Sequence, residues 1–258
     1  MSYDVIVVGG GLAGLTAGLY AARFGLKTLV IEKMMAGGQV VNIERIETFP
    51  GFAEGISGAE LGPTVQMQAE NAGASVILDA VTRLTKSSAG FTVHCEGGEH
   101  STRAVIIAAG SSRRELGIRG EAERRGRGVS ECATCDGAFF VGKRVIVVGG
   151  GDSALDEACV LADQGVADIQ IVHRGSAFEA QKTIQDRVRV KPAIKPLFNT
   201  ELVEIAGQGG VSEVVLRQGA SARTEPADGV FPFIGLKPNT EWLQGLVDLD
   251  ASGHVVTD

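Results

Sequence analysis

Two glycine-rich tracts, each set between a short apolar run and a helical pattern, constrain this sequence more than any other feature. In the first, the apolar run at residues 3–8 leads into Gly9-Gly10-Gly11-Leu12-Ala13-Gly14, and a second run follows at residues 27–31. In the second, residues 143–148 lead into Gly149-Gly150-Gly151-Asp152-Ser153-Ala154; a helical pattern then puts Leu155, Cys159 and Ala162 on one face, and residues 168–172 form the next run. Each tract therefore predicts a strand, a tight loop, a helix and a second strand. Glycine removes the side chain that would keep backbone amides and a helix N-terminus away from a pyrophosphate. The tracts begin 140 residues apart, which is too far for a solenoid repeat and suits a duplicated nucleotide-binding domain.

The first loop fills the pattern G-x-G-x-x-G with Gly9, Gly11 and Gly14. Glu32 stands 21 residues after Gly11, at the end of the second strand, where a carboxylate accepts hydrogen bonds from ribose hydroxyls. An adenine dinucleotide is the expected ligand. The second loop reads G-x-G-x-x-A, with Gly149, Gly151 and Ala154, and no acid ends its second strand. His173-Arg174 stands there instead, 22 residues after Gly151. A cation at that point suits a 2′-phosphate and favours NADPH, although Gly175 and Glu179 add one neutral and one negative side chain beside it.

At 258 residues the chain is long enough for two domains, or for one interrupted by another, at roughly 100 to 200 residues each. Residues 75–84 and 90–95 read as strands of a small antiparallel layer, and residues 104–109 as a buried strand ending at Gly110. Residues 117–128 are charged and punctuated by glycine, as a linker is, which places the first domain boundary near Arg114. Beyond the second loop, residues 201–205 and 211–217 read as strands. Residues 229–234 read as a buried strand closed by Gly235-Leu236-Lys237-Pro238, and one short strand signal remains at residues 254–256.

The formal charge of −7, from 24 basic and 31 acidic residues without a long block of either sign, argues against a nucleic-acid or anionic-membrane partner. No apolar stretch approaches the roughly 18 residues of a membrane span, and the N-terminus enters a strand pattern without a leader, so a cytoplasmic protein is expected.

Four cysteines in a chain of this length do not make a secreted disulfide scaffold, and two of them stand together as Cys132-Ala133-Thr134-Cys135. As zinc ligands they need two further soft donors at suitable spacing. The chain offers Cys95, Cys159 and four scattered histidines, so no metal site is expected. As a redox pair, the spacing brings two sulfurs into disulfide range within one helical turn, and a cysteine at a helix N-terminus has its thiolate stabilised by backbone amides. Asp136 follows at once and can shuttle the proton that disulfide reduction requires. Two buried, unreactive thiols are the alternative reading, which Cys159 on the apolar helix face fits well. Cys95 ends a strand and has no partner in sequence.

Cys-Ala-Thr-Cys-Asp-Gly at residues 132–137, just before the second loop, joins several other stretches: Gly37-Gly38-Gln39, Phe49-Pro50-Gly51-Phe52, Gly126-Arg127-Gly128-Val129-Ser130, residues 149–158, His173-Arg174 and Gly235-Leu236-Lys237-Pro238-Asn239-Thr240. Through them the sequence resembles the low-molecular-weight thioredoxin reductase family over nearly its whole length. The resemblance implies an α/β fold of two Rossmann-like three-layer dinucleotide-binding domains, the second inserted into the first: residues 1–114 and 241–258 for FAD, residues 115–240 for NAD(P)H and the cysteine pair.

By the same resemblance, Gly9, Gly11, Leu12, Ala13, Gly14 and Glu32 hold the adenosine end of FAD, Gly38 and Gln39 approach the flavin, and Ala109-Gly110 belong to the same site. Gly149, Gly151, Asp152, Ser153, Ala154, His173 and Arg174 hold the nicotinamide nucleotide. Cys135 faces the flavin, Cys132 attacks the substrate disulfide and Asp136 is the acid. A domain rotation alternates the flavin between nicotinamide and disulfide, and the protein's part is to position cofactors and exclude side reactions.

The implied partner is thioredoxin or a similar small dithiol protein, and the implied assembly a homodimer. Three departures from the family pattern stand out: Gly175 and Glu179 replace two of its arginines, which leaves NADH possible beside NADPH; Thr48 replaces an asparagine near the flavin; and the sequence stops at Thr257-Asp258, before the family's final Gly-Asp segment and closing helix. That segment is expected to exist in the working protein. Two other functions stay open at this point: a nucleotide-binding redox module without turnover, and an NADH-dependent reductase of another dithiol partner. A flavoprotein reducing ferredoxin or a quinone has no need of Cys132 and Cys135.

Overall fold

The computed structural model describes residues 2–257; Met1 and Asp258, the outer bounds of the first expected domain, lie outside the described residues. The chain forms two compact units. One contains the residues up to Ser112 and those from Lys237 on, and the other is Arg113–Leu236.

The first unit begins with β1 (Ser2–Val8), α1 (Leu12–Arg23) and β2 (Thr28–Glu32), followed by α2 (Gly58–Asn71), β3 (Ser75–Leu78), β4 (Val81–Ser87), β5 (Gly90–Cys95) and β6 (Gly98–Ile107). One six-stranded sheet, in the order β3-β2-β1-β6-β5-β4, carries them all. The expected small antiparallel layer is therefore not separate: β6 pairs in parallel with β1 on one edge and antiparallel with β5 on the other.

Period-two alternation sends β1 into two cores, because successive side chains point to opposite faces. Val5 and Val7 join Leu15, Val30, Leu61 and Val65 under the helices. Ile6 and Val8 join Leu29, Ile31, Leu84 and Val93 on the other face. Each such side chain, fully buried, contributes about 1.5–3 kcal/mol.

The run expected as a buried strand at residues 104–109 is instead the end of the longer β6, and it is open. Ile106 is 37% exposed, while Val105 and Ile107 are half-buried and pack against the core on the opposite face. The expected strand at residues 254–256 reduces to one isolated bridge, Leu249 to Val255. After β6 comes the short β7 (Ser111–Arg113).

The second unit contains α3 (Ala133–Asp136), β8 (Arg144–Val148), α4 (Asp152–Asp163), β9 (Asp168–Val172), α5 (Lys182–Arg189), β10 (Ile194–Leu197), β11 (Glu201–Ala206), β12 (Glu213–Gln218), β13 (Ser221–Pro226) and β14 (Gly229–Pro232). A four-stranded parallel sheet, β10-β9-β8-β14, is the middle layer. On one face Val145, Val147, Ile169, Ile171 and Phe231 pack on Leu155, Ala158 and Leu161 of α4. On the other, Ile146, Val148 and Val172 pack on Leu202, Ile205, Val214 and Leu216 of the antiparallel sheet β11-β12-β13. Here the α/β three-layer arrangement is complete.

Residues 117–128 are not a free linker. Leu116 and Ile118 pack against the second of those cores, and the buried Glu121 carboxylate accepts the N–H groups of Leu116 at 3.0 Å and Gly117 at 2.8 Å. Burying that carboxylate with two backbone donors folds a charged, glycine-rich stretch tightly, which composition alone does not reveal. The chain returns to the first unit through β15 (Leu236–Pro238), which pairs with β7.

Candidate active site

In the first unit the loop between β1 and α1 is shaped by glycine contacts. A side chain at Gly9 would meet the Ala108 carbonyl oxygen at 2.1 Å, and one at Gly14 the Gly9 oxygen at 1.8 Å, so both positions exist for close strand–helix packing. Gly11 differs: its nearest neighbour is the Gly37 oxygen at 4.0 Å, which leaves open space above the first turn of α1. Gly37 N–H donates to the Gly10 carbonyl at 2.8 Å, and Gly38 lies so close to Gly11 that an added side chain would be 3.2 Å from its Cα.

Glu32, half-buried at the end of β2, accepts the Gly10 N–H at 2.7 Å and the Met34 N–H at 3.0 Å. Leu12 is half-buried and Ala13 is exposed on the first turn of α1. The Gln39 side-chain amide donates to the Ser111 carbonyl and lies 3.2 Å from the Ser111 hydroxyl. Ala109 and Gly110 are fixed by Asn239, whose side-chain amide donates to the Ala109 carbonyl at 2.9 Å and whose N–H donates to the Gly110 carbonyl at 3.0 Å. Thr48 is exposed, in a loop at residues 47–53 that encloses a shallow open cleft.

The loop of the second unit repeats this plan. Gly149 is left-handed at φ 146° and lies against the Phe233 carbonyl, Ala154 is fully buried, and Gly151 has nothing within 4 Å of a would-be side chain. Ser153 is exposed. Asp152 is engaged with Gln181, accepting its backbone N–H at 2.7 Å and its side-chain amide at 2.8 Å.

In both loops the middle glycine lies tight against the last residue of the second strand or the one after it. A side chain at Gly10 would lie 2.7 Å from Glu32 Cβ, and one at Gly150 2.3 Å from His173 Nδ1. His173 is accordingly turned inward, 6% exposed, against Phe178 and Phe198, and its Nε2 has no hydrogen-bond partner among the described residues. Arg174 alone of that pair is exposed.

Cys132 and Cys135 form a disulfide, with an S–S distance of 2.16 Å, across the short α3. Cys135 is exposed and Cys132 half-buried. Cys132 caps the turn: its Sγ accepts the Cys135 N–H at 3.1 Å, and its carbonyl accepts the Asp136 N–H at 3.1 Å. The buried Ser130 hydroxyl donates to the Asp136 carboxylate at 2.6 Å and accepts the Cys132 N–H at 3.2 Å.

The Ala133 N–H donates to Glu157 Oε2 at 2.7 Å. Burial pushes the Glu157 carboxyl above its ordinary value, against the opposing pull of that N–H and of Arg113. The two remaining cysteines are poor nucleophiles. Burial raises the Cys159 thiol, and burial followed by the Asp79 carboxylate pushes the Cys95 thiol up to about 11.

Two open glycine cradles at the N-termini of twelve-residue helices, together with an accessible disulfide in a capped turn, are the parts of a nucleotide-dependent disulfide enzyme. A family model described as pyridine nucleotide-disulphide oxidoreductase matches residues 3–258. The chain belongs to that family.

Within the family, the oxidoreductase is similar to thioredoxin reductases. It is 42% identical to that of Treponema pallidum, over 99% of this chain and 83% of the relative. It is 40% identical to that of Streptomyces coelicolor, over 99% and 80%. The crystal structure of Lactococcus lactis thioredoxin reductase superposes with a TM-score of 0.95 at 36% identity, covering 99% of this chain and 85% of that one. That of T. acidophilum thioredoxin reductase gives 0.93 at 32%, covering 100% and 85%. The oxidoreductase is thus of the low-molecular-weight thioredoxin reductase type, a flavin-dependent disulfide oxidoreductase whose Cys132–Cys135 pair fits the redox-active disulfide.

The residues present fit the dinucleotides this family uses. Gly11 and Gly151 sit where a side chain would enter the space a pyrophosphate needs, and neither loop has a side chain capping the helix that follows. Ser130 and Glu157, the two supports of the disulfide turn, escaped the sequence reading. The signal for Glu157 was present: it stands three residues after Ala154 and four before Leu161, so a carboxylate shares a helix face with two fully buried apolar residues.

Proposed function

We propose that the oxidoreductase takes electrons from a nicotinamide nucleotide and passes them through FAD and the Cys132–Cys135 disulfide to thioredoxin or a similar small dithiol protein. The observation that carries the reading is the disulfide itself: a bonded pair, exposed at Cys135, in the unit that also holds the second glycine loop.

Gly9, Gly11, Leu12, Ala13, Gly14 and Glu32 hold the adenosine and pyrophosphate of FAD, with Gly38, Gln39, Ala109 and Gly110 nearby. Gly149, Gly151, Asp152, Ser153 and Ala154 receive the pyrophosphate of the nicotinamide nucleotide. FAD, when bound, supplies acceptance of a hydride and delivery of its two electrons to a disulfide. Two electrons and two protons convert the Cys132–Cys135 bond to two thiols. Cys132, whose sulfur receives the Cys135 N–H, is the thiolate that attacks the partner disulfide. Asp136 gives the proton to the departing sulfur, and Cys135 then displaces the partner from Cys132, restoring the bond.

Arg174 binds a 2′-phosphate without help from His173, whose ring faces the core, or from Gly175 and Glu179. Preference for NADPH is accordingly weak, and NADH serves as well. No helix of the described residues is long and apolar enough to cross a membrane, and a cytoplasmic homodimer is the reading of place and assembly.

Anaerobic titration tests the whole. The yellow protein bleaches with NADPH and with NADH, and recovers its colour on addition of oxidised thioredoxin; C135S bleaches but turns over no thioredoxin. A colourless protein that ignores both nucleotides points instead to a redox module without turnover.

A further inference from the structure

Outside the redox site, Asp79, Cys95 and His100 meet at one end of the antiparallel strands of the first unit. Asp79 lies in the turn between β3 and β4, Cys95 ends β5, and His100 is in β6. Cys95 pairs with Val81 on one side and with Gly98 on the other. Residues two apart share a face of a sheet, so His100, two beyond Gly98, flanks Cys95 diagonally, and Asp79 approaches it from the turn that leads into Val81.

The result is a mixed donor set: an Asp79 carboxylate oxygen, Cys95 Sγ and a His100 ring nitrogen all lie within 4.8 Å of one another, and all three residues are half-buried. The carboxylate is already oriented, because its Oδ1 accepts the N–H groups of Ala80 at 2.8 Å and Gly97 at 3.2 Å. The His100 ring is braced edge-on by Tyr3 at 6.1 Å. Neither Cys95 Sγ nor the His100 ring nitrogens form a hydrogen bond among the described residues, so both have donor capacity to spare.

We propose that Asp79, Cys95 and His100 form a site for a thiophilic divalent transition-metal ion, with zinc the ion it suits best. One sulfur, one imidazole and one carboxylate are the donors zinc takes, and three of them leave a fourth tetrahedral position for water. Bond lengths of about 2.0–2.3 Å put the donors of such an ion about 3.3–3.8 Å apart, so small rotamer changes close the set. Magnesium and calcium take oxygen donors and have no use for the sulfur. Binding exchanges the thiol proton of Cys95 for the metal and releases that proton to water. The carboxylate and thiolate then neutralise the divalent charge, which suits a position beside the apolar core formed by Val93, Ile77 and Val81. A bound ion ties the β3–β4 turn to the turn end of the β5–β6 hairpin, where Cys95 faces Gly98. The site shares no residue with the redox site, so its failure leaves the proposed function untouched.

The test is cobalt titration of the untagged, FAD-bound full chain with its disulfide oxidised and no reductant present. Cobalt in a tetrahedral thiolate site gives red-edge d–d bands, clear of the flavin absorbance. One equivalent per chain is expected to produce them, and zinc to abolish them. C95S loses the bands, H100Q and D79N weaken them at equal cobalt, and the double variant C132S/C135S keeps them in full. Zinc raises the thermal midpoint of the parent and of C132S/C135S but not of C95S. Absence of bands in the parent, their persistence in C95S, or their loss in C132S/C135S overturns the proposal; the last outcome moves the metal to the redox cysteines.

Discussion

Glu157 accepts the N–H of Ala133 at 2.7 Å, so the turn between the two redox cysteines is held from outside, by a carboxylate of the following helix. Burial raises that carboxyl above its ordinary value, which gives its contribution to stability a definite sign. The folded state binds the proton more tightly than the unfolded state, so stability falls as pH rises from the ordinary carboxylate range through the raised value, and the penalty is complete above it. E157Q keeps an acceptor for Ala133 and removes the titration. The thermal midpoint of the parent relative to E157Q is expected to fall between acid and neutral pH, and parallel pH profiles would sink the argument. E157A orphans the amide and is expected to cost about 1–3 kcal/mol at acid pH, where Glu157 contributes most, and less at neutral pH.

The glycines of the two loops divide into crowded positions and open ones, the open ones being the proposed ligand contacts, and substitution separates them. G14A forces a Cβ to 1.8 Å from the Gly9 oxygen, and the prediction is loss of the folded first unit. G11A and G151A meet open space in backbone conformations an alanine adopts, with φ of −67° and −92°. They are expected to fold with little change in thermal midpoint. G11A should be purified with depleted flavin, and G151A should keep its flavin while its KM for NADPH and NADH rises about tenfold or more, the loss of one or two backbone contacts to phosphate. Equal nucleotide affinity in G151A would remove that loop from the site.

The sequence made strands, loops and cysteines readable where one local signal decides them. The apolar runs before Gly9 and Gly149 need only period and composition, and β9 occupies the whole run at residues 168–172. What depends on distant partners was not readable. The orientation of His173 follows from the pressure of Gly150 and from Phe178 and Phe198, residues set apart in sequence. The fold of residues 117–128 rests on the buried Glu121 carboxylate and on hydrogen bonds that join Arg119, Arg124, Arg127 and Gly128 to residues about 80 or more positions away. Helix α2 was missed because Pro63 and a mixed polar pattern hide it, although Ser57 and Glu60 cap it, with the Glu60 N–H at 3.2 Å from the Ser57 hydroxyl. Strand β13, which is exposed along most of its length, carries almost no apolar signal at all.

In the proposed reading, nucleotide preference turns on two positions with unequal freedom. An arginine at Gly175 would bring its Cβ to 2.6 Å from His173 Nε2, so G175R disturbs the buried ring before it reaches any phosphate. Glu179 is exposed, and its N–H is held by the Gly150 carbonyl at 2.8 Å, which fixes the backbone without engaging the side chain. E179R replaces a repelling charge by a bidentate donor and is expected to raise kcat/KM for NADPH over NADH by about 10-fold or more, the worth of one charge-assisted hydrogen bond. R174A should lower the NADPH value and spare the NADH value. Steady-state comparison of the two nucleotides decides it, and an E179R ratio equal to the parent's would place the 2′-phosphate elsewhere.

The hydrogen bond from Ser130 to Asp136, at 2.6 Å, aims the carboxylate along the turn that holds both sulfurs, and the same hydroxyl lies 3.2 Å from the Cys132 N–H. Asp136 acts in the proposed mechanism only when sulfur leaves sulfur, and has no part in taking hydride from the nicotinamide. D136N is therefore expected to slow thioredoxin-linked turnover by about 10²–10⁴-fold, the usual share of a positioned acid, while stopped-flow reduction of the flavin by NADPH proceeds at the parental rate. S130A leaves the acid in place and loosens it, so its loss is smaller and falls on the same step. If D136N slowed flavin reduction as much as disulfide turnover, Asp136 would be a structural residue of the turn, and the proton would have to reach the leaving sulfur from solvent.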